Sequence, residues 1–600
     1  MSVATAPSRS RGRGRLAIAR RARLRVAARS EGVVIGGLVL WTLALAAVTW
    51  GRWGDLTMDT GYDLLAASRT AGGELPYADY VYFYGPLGPL LLGGIYALTG
   101  PAVWPAVALG LVLAALAIGL TYRLARHFAA PLPAGLAAAL VAVAALSSAN
   151  NSYVLPHSTS APLATVLALA AILALAGAAT RRRLGLAGVL CGLAAVTRPE
   201  LALALLAAVT AWLGVQVLQA GAGRRRAAWL DAATVLGPAL AVPALVYGAF
   251  LTRVSLHDLL LENLYPIDFV RAAGHVVLDA HAPLTVASVA ELAGRLAVYA
   301  AGAAALVALG RLAVGRPRLG RALQLAVPVA LGAVAIAVLA RPESVRFYLQ
   351  WAYAWIPAGA WLAVLYLLWR RRGVADHTPL LVALFLGAVT LNTYASFLPF
   401  PNAEFPEATP YVLPLAAAFL VWLHIDELGG RAPGARLLGA AWLAALVLAA
   451  GGLAAHDARQ ETATVRGPHG AMAALPQEAP ALQRALDLVA AHSRPGDPVF
   501  IAPQLTALYV MAGRRDPLPQ LSLLPGALAT AADEDRAIAR LRGVRVAVVD
   551  RTPLRTYHHG AFGTTFDRRL DSRLRRDFRR LETTSGPGAA GRQIDVWIRR

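Results

Sequence analysis

Long apolar runs alternate with short polar stretches along this chain, and most runs have the length of a bilayer crossing, those at 184–197 and 199–218 being short. The first covers Gly32–Trp50. Others follow near 101–122, 133–149, 161–179, 184–197, 199–218, 229–251 and 286–309, and the series continues to a last run near 437–455. Counting them predicts a polytopic α-helical membrane protein with about 13 transmembrane helices. The stretch Gly85–Leu98 is broken by Pro and Gly and holds roughly 14 residues where a span needs about 20. It is expected to lie at or dip into the outer interface. After His456 the hydropathy falls and the period changes. Helices are predicted at 479–493 and 532–542, with buried strands at 498–502, 544–550 and 593–598. That pattern describes a small external α/β domain over 456–600, behind a membrane region over 32–455.

Composition agrees with the pattern. Of 600 residues, 57% are hydrophobic and 15% charged, too apolar for a soluble multidomain protein. Mean hydropathy is +0.55. A net charge of +22 raises the question of nucleic acid, but the basic residues cluster at the ends of apolar runs, as membrane topology requires. No nucleic-acid partner is expected, and membrane lipids with anionic headgroups are. All 56 basic residues are Arg, which reads as coding bias, so the choice of Arg over Lys carries little meaning. The single Cys191 excludes disulfides within the chain and Cys-based metal sites.

Charge also sets a predicted topology. Residues 1–31 carry nine Arg and read as a basic, disordered cytoplasmic arm, with the first run a retained signal anchor. Arg123 and Arg126, Arg181 to Arg183, Arg224 to Arg226, Arg311 to Arg321, Arg370 to Arg372 and Arg431 with Arg436 then fall inside. SANNSYVLPHSTS, the loop starting TRVSLHD, ARPESVRFY and FLPFPNAEFPEATPY fall outside, and the C-terminal domain lies outside with them.

Candidate chemistry gathers in the first outer loop, 51–100. Asp59 and Asp63 are one helical turn apart and would share a face, a pair that could hold a divalent ion, although helix capping explains Asp59 equally well. Asp79 follows a Pro-Tyr turn. Tyr77, Tyr80, Tyr82 and Tyr84 suit either anchoring at headgroup level or stacking on a sugar ring. In the second outer loop Asn151 and His157 suit sugar hydroxyls. Arg198 and Glu200 sit at the outer end of two short spans, either as a local ion pair or with Arg198 facing a lipid phosphate. Arg346 offers a second cation on the same face. His257, Asp258, Glu262, Asn263 and Asp268 in the third large loop match no zinc signature, and a metal requirement stays open. No Gly-rich phosphate loop follows either predicted strand, so no nucleotide cofactor is expected.

Several segments together resemble a known family. An outer-facing Asp, the segment GELPYADY, the stretch GPLGPLL ending in Leu-Thr-Gly, and GLAGVLCGLAAVTRPELALALL are similar to the GT-C integral-membrane glycosyltransferases. The similarity is to the branch with protein O-mannosyltransferases and the lipid A aminoarabinose transferase. FLPFPNAEFPEATPYVLPLAAAFL and PGDPVFIAP resemble that branch's last outer loop and external tail. Where the aminoarabinose-transferase type has an acidic pair and a Lys-Pro-Pro, this chain has Asp59-Thr60 and Gly85-Pro86. Arg198 becomes the substitute phosphate ligand.

The resemblance implies inverting transfer of a sugar from a polyprenyl-phosphate donor to an envelope glycan, lipid or protein hydroxyl at the outer face. Asp59 would be the general base, Asp79 the second carboxylate, and Asp63, Tyr77, Tyr84, Asn151, His157, Arg198, Glu200 and Arg346 the substrate-binding set. The alternative is a transporter or flippase for a lipid-linked glycan. It would need ionisable groups along a transbilayer path, whereas nearly all here sit at span ends.

Overall fold

The structure is a computed structural model, and it describes residues 10–57, 60–148, 152–177, 180–264, 285–313, 316–351, 355–370, 377–391, 409–428, 433–554, 559–587 and 592–600. Among the described residues, nine helices come first: α1 (Ser10–Thr49), α2 (Thr60–Ala71), α3 (Leu87–Thr99), α4 (Val103–Ala125), α5 (Pro131–Leu146), α6 (Ser160–Leu175), α7 (Arg181–Ala195), α8 (Pro199–Gln219) and α9 (Arg225–Phe250). Helix α1 extends back through the basic arm that was expected to be disordered. Its Arg, Ala and Leu are strong helix formers, and the apolar helix that follows supplies the nucleus.

Among the described residues, seven helices are long and apolar enough to cross a membrane, and four apolar helices are shorter. These helices do not fix the expected count of about 13 spans. Helices α5 and α6, of 16 residues each, rise about 24 Å at 1.5 Å per residue, less than the hydrocarbon thickness. Helix α9 and the helices Val289–Ala313 and Pro317–Ala340 are exposed along nearly their whole length. Their apolar side chains, among them Leu245, Val329 and Leu339, make a surface suited to lipid and not to water.

Buried residues of α6 to α9 pack with those of Trp355–Arg370, Thr378–Val389 and Thr409–Val421 as one core. A second core is continuous from α1 to α6 into the C-terminal domain. That domain contains a hairpin, β1 (Ala463–Gly467) with β2 (Gly470–Ala474), and a four-stranded sheet. The sheet comprises β3 (Val499–Ala502), β4 (Val546–Asp550), β5 (Phe578–Ser585) and β6 (Gln593–Arg599), in the order β3-β4-β6-β5. Strands β3 and β4 run parallel, and the other pairs antiparallel. Alternation divides the sheet. Val499, Ile501, Val546, Val548, Ile594 and Val596 join the core shared with the membrane region. Phe500, Ala547, Val549 and Trp597 face a separate core under the helices Ala531–Arg540 and Arg568–Asp577.

Contacts from α4, α2 and the first polar loop help to dock the domain. The Val103 amide at the start of α4 donates to His469 O at the hairpin tip (3.0 Å). A side chain at Gly61 of α2 would collide with the Ala507 backbone, so α2 lies directly on the helix Ala507–Ala512. The Val81 amide donates to Pro519 O (2.8 Å).

Candidate functional site

Helix α2 carries Asp63 into the interior, where the residue is 4% exposed. One carboxylate oxygen accepts from the Tyr82 hydroxyl at 2.8 Å, and the other from the Thr159 amide. Asp63 thus joins the first polar loop to the second, and the Tyr82 hydroxyl also lies 3.4 Å from Ser160 Oγ. Burial pushes the Asp63 carboxyl above its usual range, opposed by the bonds from Tyr82 and Thr159 and by the nearby His157. His157 is itself buried. A small cavity opens beside this group, lined by Thr60, Asp63, Tyr153 and Thr159 and by apolar side chains of α3 and α4.

A file of aromatic rings leads away from Asp63. Tyr82 stacks on Tyr62 at 5.6 Å and meets Tyr84 edge-on at 5.7 Å. The Arg198 guanidinium lies over the Tyr84 ring, 4.8 Å from its centroid. The sequence dictates where Arg198 sits. A residue before proline is driven to extended backbone, and Arg198 takes φ −147° and ψ 96° as the cap of α8, with Pro199 opening the helix. A cation at a helix N-terminus opposes the dipole. Glu200 in the first turn, paired with Arg198, compensates. The Gly85 amide donates to Thr197 O (3.0 Å) and the Leu87 amide to Val196 O (3.1 Å). A side chain at Gly85 would collide with the Val196 backbone. Segment 84–87 is therefore laid against the α7–α8 turn, and Tyr84 is fixed over Arg198.

Tyr77 takes the left-handed backbone rare outside glycine (φ 68°). Its amide donates to Tyr80 O (2.8 Å) and its hydroxyl to Tyr84 O (2.6 Å). These bonds hold the loop 77–84 closed on itself. The Tyr82 amide donates to Asn263 Oδ1 (2.9 Å), which ties in the π-helical turn Asp258–Leu264.

Of the residues expected from sequence, Asp63, His157, Tyr77, Tyr84, Arg198 and Glu200 fall in this assembly. Asp59 and Asn151 lie outside the described residues. Asp79 is exposed, and its carboxylate accepts the Leu75 amide (2.8 Å), closing a turn on the side facing Arg69. Arg346 stands elsewhere, ion-paired with Glu343 and with Asp457 (2.7 Å). From Asp457 an acidic group runs back towards α2. Glu461, whose carboxyl burial and then Asp55 and Asp457 push up to about 8 against the pull of Arg52, lies between them, and the Asp55 amide donates to Thr60 Oγ1 (2.9 Å). Among the described residues, His257, Asp258 and Glu262 bring three potential ligand atoms within 4.8 Å of one another. One imidazole and two carboxylates suit a divalent cation.

Sequence reasoning missed Thr159 and Ser160, and it had no role for Arg69. The run Ser158-Thr159-Ser160 before α6 reads as helix capping. Its use as a donor to Asp63 depends on a contact across 96 positions.

No protein-family model matches the chain, and no curated protein matches it. Among solved structures it is similar to the oligosaccharyltransferase of Archaeoglobus fulgidus, determined in complex with zinc and sulfate. The TM-score is 0.45 and the identity 15%, over 86% of this chain and 68% of that one. It is similar also to ArnT from Cupriavidus metallidurans. In the apo state the TM-score is 0.39 at 14% identity, over 94% of this chain and 98% of that one. With undecaprenyl phosphate bound the TM-score is 0.38 at 14% identity, over 94% and 97%. Overlap of this extent leaves the function to be decided by the site.

Proposed function

We propose that this chain is a membrane glycosyltransferase. It moves a sugar from a polyprenyl-phosphate donor to a hydroxyl of an envelope glycan, lipid or protein at the outer membrane face. The observation that carries this is the pairing of a buried carboxylate group at Asp63 with a buried guanidinium at Arg198, spaced by the Tyr82 and Tyr84 rings. A transfer from a lipid phosphate needs a fixed, water-shielded cation for the departing phosphate and a rigid polar site beside it for the acceptor; Arg198 supplies the first, and Asp63 braces the two loops of the second.

Arg198 stabilises the leaving phosphate, with Tyr84 and Glu200 holding its plane. Asp59, immediately before Thr60 at the start of α2, takes the acceptor proton in a single displacement that inverts the anomeric carbon. Asp63, one turn later, fixes Tyr82 and the second loop. A seam beside apolar helices suits the donor's isoprenoid chain, and the loops suit its sugar.

Purified protein in lipid nanodiscs, supplied with a labelled polyprenyl-phosphate sugar and envelope extract, tests the assignment. The wild type is expected to release polyprenyl phosphate and label the acceptor. Asp59→Asn and Arg198→Gln are each expected to lower turnover on the order of 10²-fold. Full transfer by Asp59→Asn would remove Asp59 as the base, and translocation of the donor without a new glycosidic bond would replace the enzyme with a flippase.

A further inference from the structure

Besides the packing of α2 on the helix Ala507–Ala512, the C-terminal domain meets the first polar loop through residues 515–520. This segment leaves the domain paired to the start of β3, the Val499 amide donating to Arg515 O (3.0 Å), and ends paired with Val81 of the first loop at Gln520. Its shape is set from within the domain. Asp516 Oδ1 accepts the Leu518 amide (2.9 Å) and the Tyr509 hydroxyl (3.3 Å). Tyr509 in turn accepts the Ile501 amide of β3 (2.9 Å).

Arg69, at the far end of α2 from Thr60, locks this segment to the loop. Its Nη1 donates to Leu518 O (2.5 Å), Nη2 to Asp79 O (3.0 Å) and Nε to Glu74 Oε2 (2.7 Å). The guanidinium also covers the Tyr80 ring at 5.1 Å. A planar fork with fixed donors dictates the relative positions of everything it binds. Here those are the C-terminal segment, the turn at Asp79 and the strip that continues to Tyr82 and Tyr84. Tyr82 holds Asp63, and Tyr84 lies over Arg198. Arg69 touches neither.

We propose that residues 515–520 are a template for loop 79–84, that Arg69 is the positioning residue that holds it, and that the C-terminal domain is a working part of the glycosyl-transfer site. This rests on the function proposed above. It assigns the domain a task in donor turnover.

The test uses the full chain in nanodiscs with two readouts. Hydrogen–deuterium exchange follows the 79–84 amides, and release of polyprenyl phosphate follows turnover. Arg69→Gln is expected to speed exchange at 79–84 while the membrane helices stay protected, and to lower turnover on the order of 10²-fold, the effect of a small misplacement of reacting groups. Arg69→Lys recovers part of the loss, since one ammonium cannot bind all three acceptors. A disulfide between Val81→Cys and Gln520→Cys, added to Arg69→Gln, is expected to restore both protection and turnover. Failure of the restored loop to recover turnover would overturn the assignment, because Arg69 would then act directly. Unchanged exchange in Arg69→Gln, or raised exchange with full turnover, would also overturn it. If the wild type transfers no sugar from any lipid-linked donor, the proposed function fails, and exchange at 79–84 alone still decides whether Arg69 holds the template.

Discussion

A carboxylate that is 4% exposed persists in a fold only when donors replace the water it has lost. Asp63 has Tyr82 and Thr159 in that role, so Tyr82→Phe tests how far the group depends on them. Deleting the hydroxyl leaves one oxygen short of a donor, at a cost of about 1–3 kcal/mol. The bond from Tyr82 favours the ionised carboxyl, so its loss raises the Asp63 pKa further. The destabilisation is therefore expected to be larger at alkaline pH, where Asp63 is charged, than at acidic pH. Thermal unfolding of the variant and the wild type at both ends of the range measures it. Asp63 was legible in the sequence as a carboxylate one turn from Asp59. Arg198 was legible because a guanidinium between two apolar runs needs a partner. Arg69 was not. Its acceptor Leu518 O is 449 positions away, and no local pattern marks an Arg in a polar loop as the hub of a docking contact.

At the level of elements, the site depends on one loop, 84–87, laid against the turn between α7 and α8. Gly85 is the contact point, with no room for a side chain against Val196. Gly85→Ala is expected to push the loop off that turn and lift Tyr84 from Arg198, at about 1–3 kcal/mol for overpacking. Turnover should fall while the Arg69 contacts, and hence exchange protection at Val81, stay as in the wild type. Unchanged turnover would show that the Tyr84–Arg198 contact is dispensable. The elements that sequence found and those it missed divide by burial. Strands β3 and β4 are buried throughout and β6 through its centre, and all three announced themselves as apolar runs. Strand β5 lies at the sheet edge with a bulge between Arg580 and Glu582, and the helix Arg568–Asp577 before it is mostly charged, with only Leu570 and Leu574 to mark its buried face. The membrane helices were found in place, but their lengths were not. Hydropathy averages over helix ends and does not mark the residue at which each one stops.

Across the whole molecule, one core runs from the first membrane helix to the C-terminal sheet, and acids wholly or partly withdrawn from water outside it tie its stability to pH. Asp516 is the clearest case. Burial raises its carboxyl to about 7, against the Leu518 amide, the Arg69 charge and the Tyr509 hydroxyl, which favour ionisation, with Glu74 adding to the rise. An unfolded Asp titrates near 3.9. Between those values the folded state holds a proton that the unfolded state has released, so stability falls as pH rises from about 4 to 7 and levels off above. One pKa unit is about 1.4 kcal/mol, so in a chain of 600 residues that unfolds as one unit the midpoint should drop roughly 1 °C per pH unit over that window from this group alone. Glu461 and Asp567, each pushed up to about 8 mainly by burial, add slopes of the same sign that extend further. Asp516→Asn keeps an oxygen for the Leu518 amide and the Tyr509 hydroxyl but cannot ionise. Its midpoint is therefore expected to gain on the wild type steadily from pH 5 to 7 and hold a constant lead above. Parallel midpoints for the two proteins across that window would mean that Asp516 reaches water when the domain is docked, and that the contact between residues 515–520 and the first loop is looser than its hydrogen bonds imply.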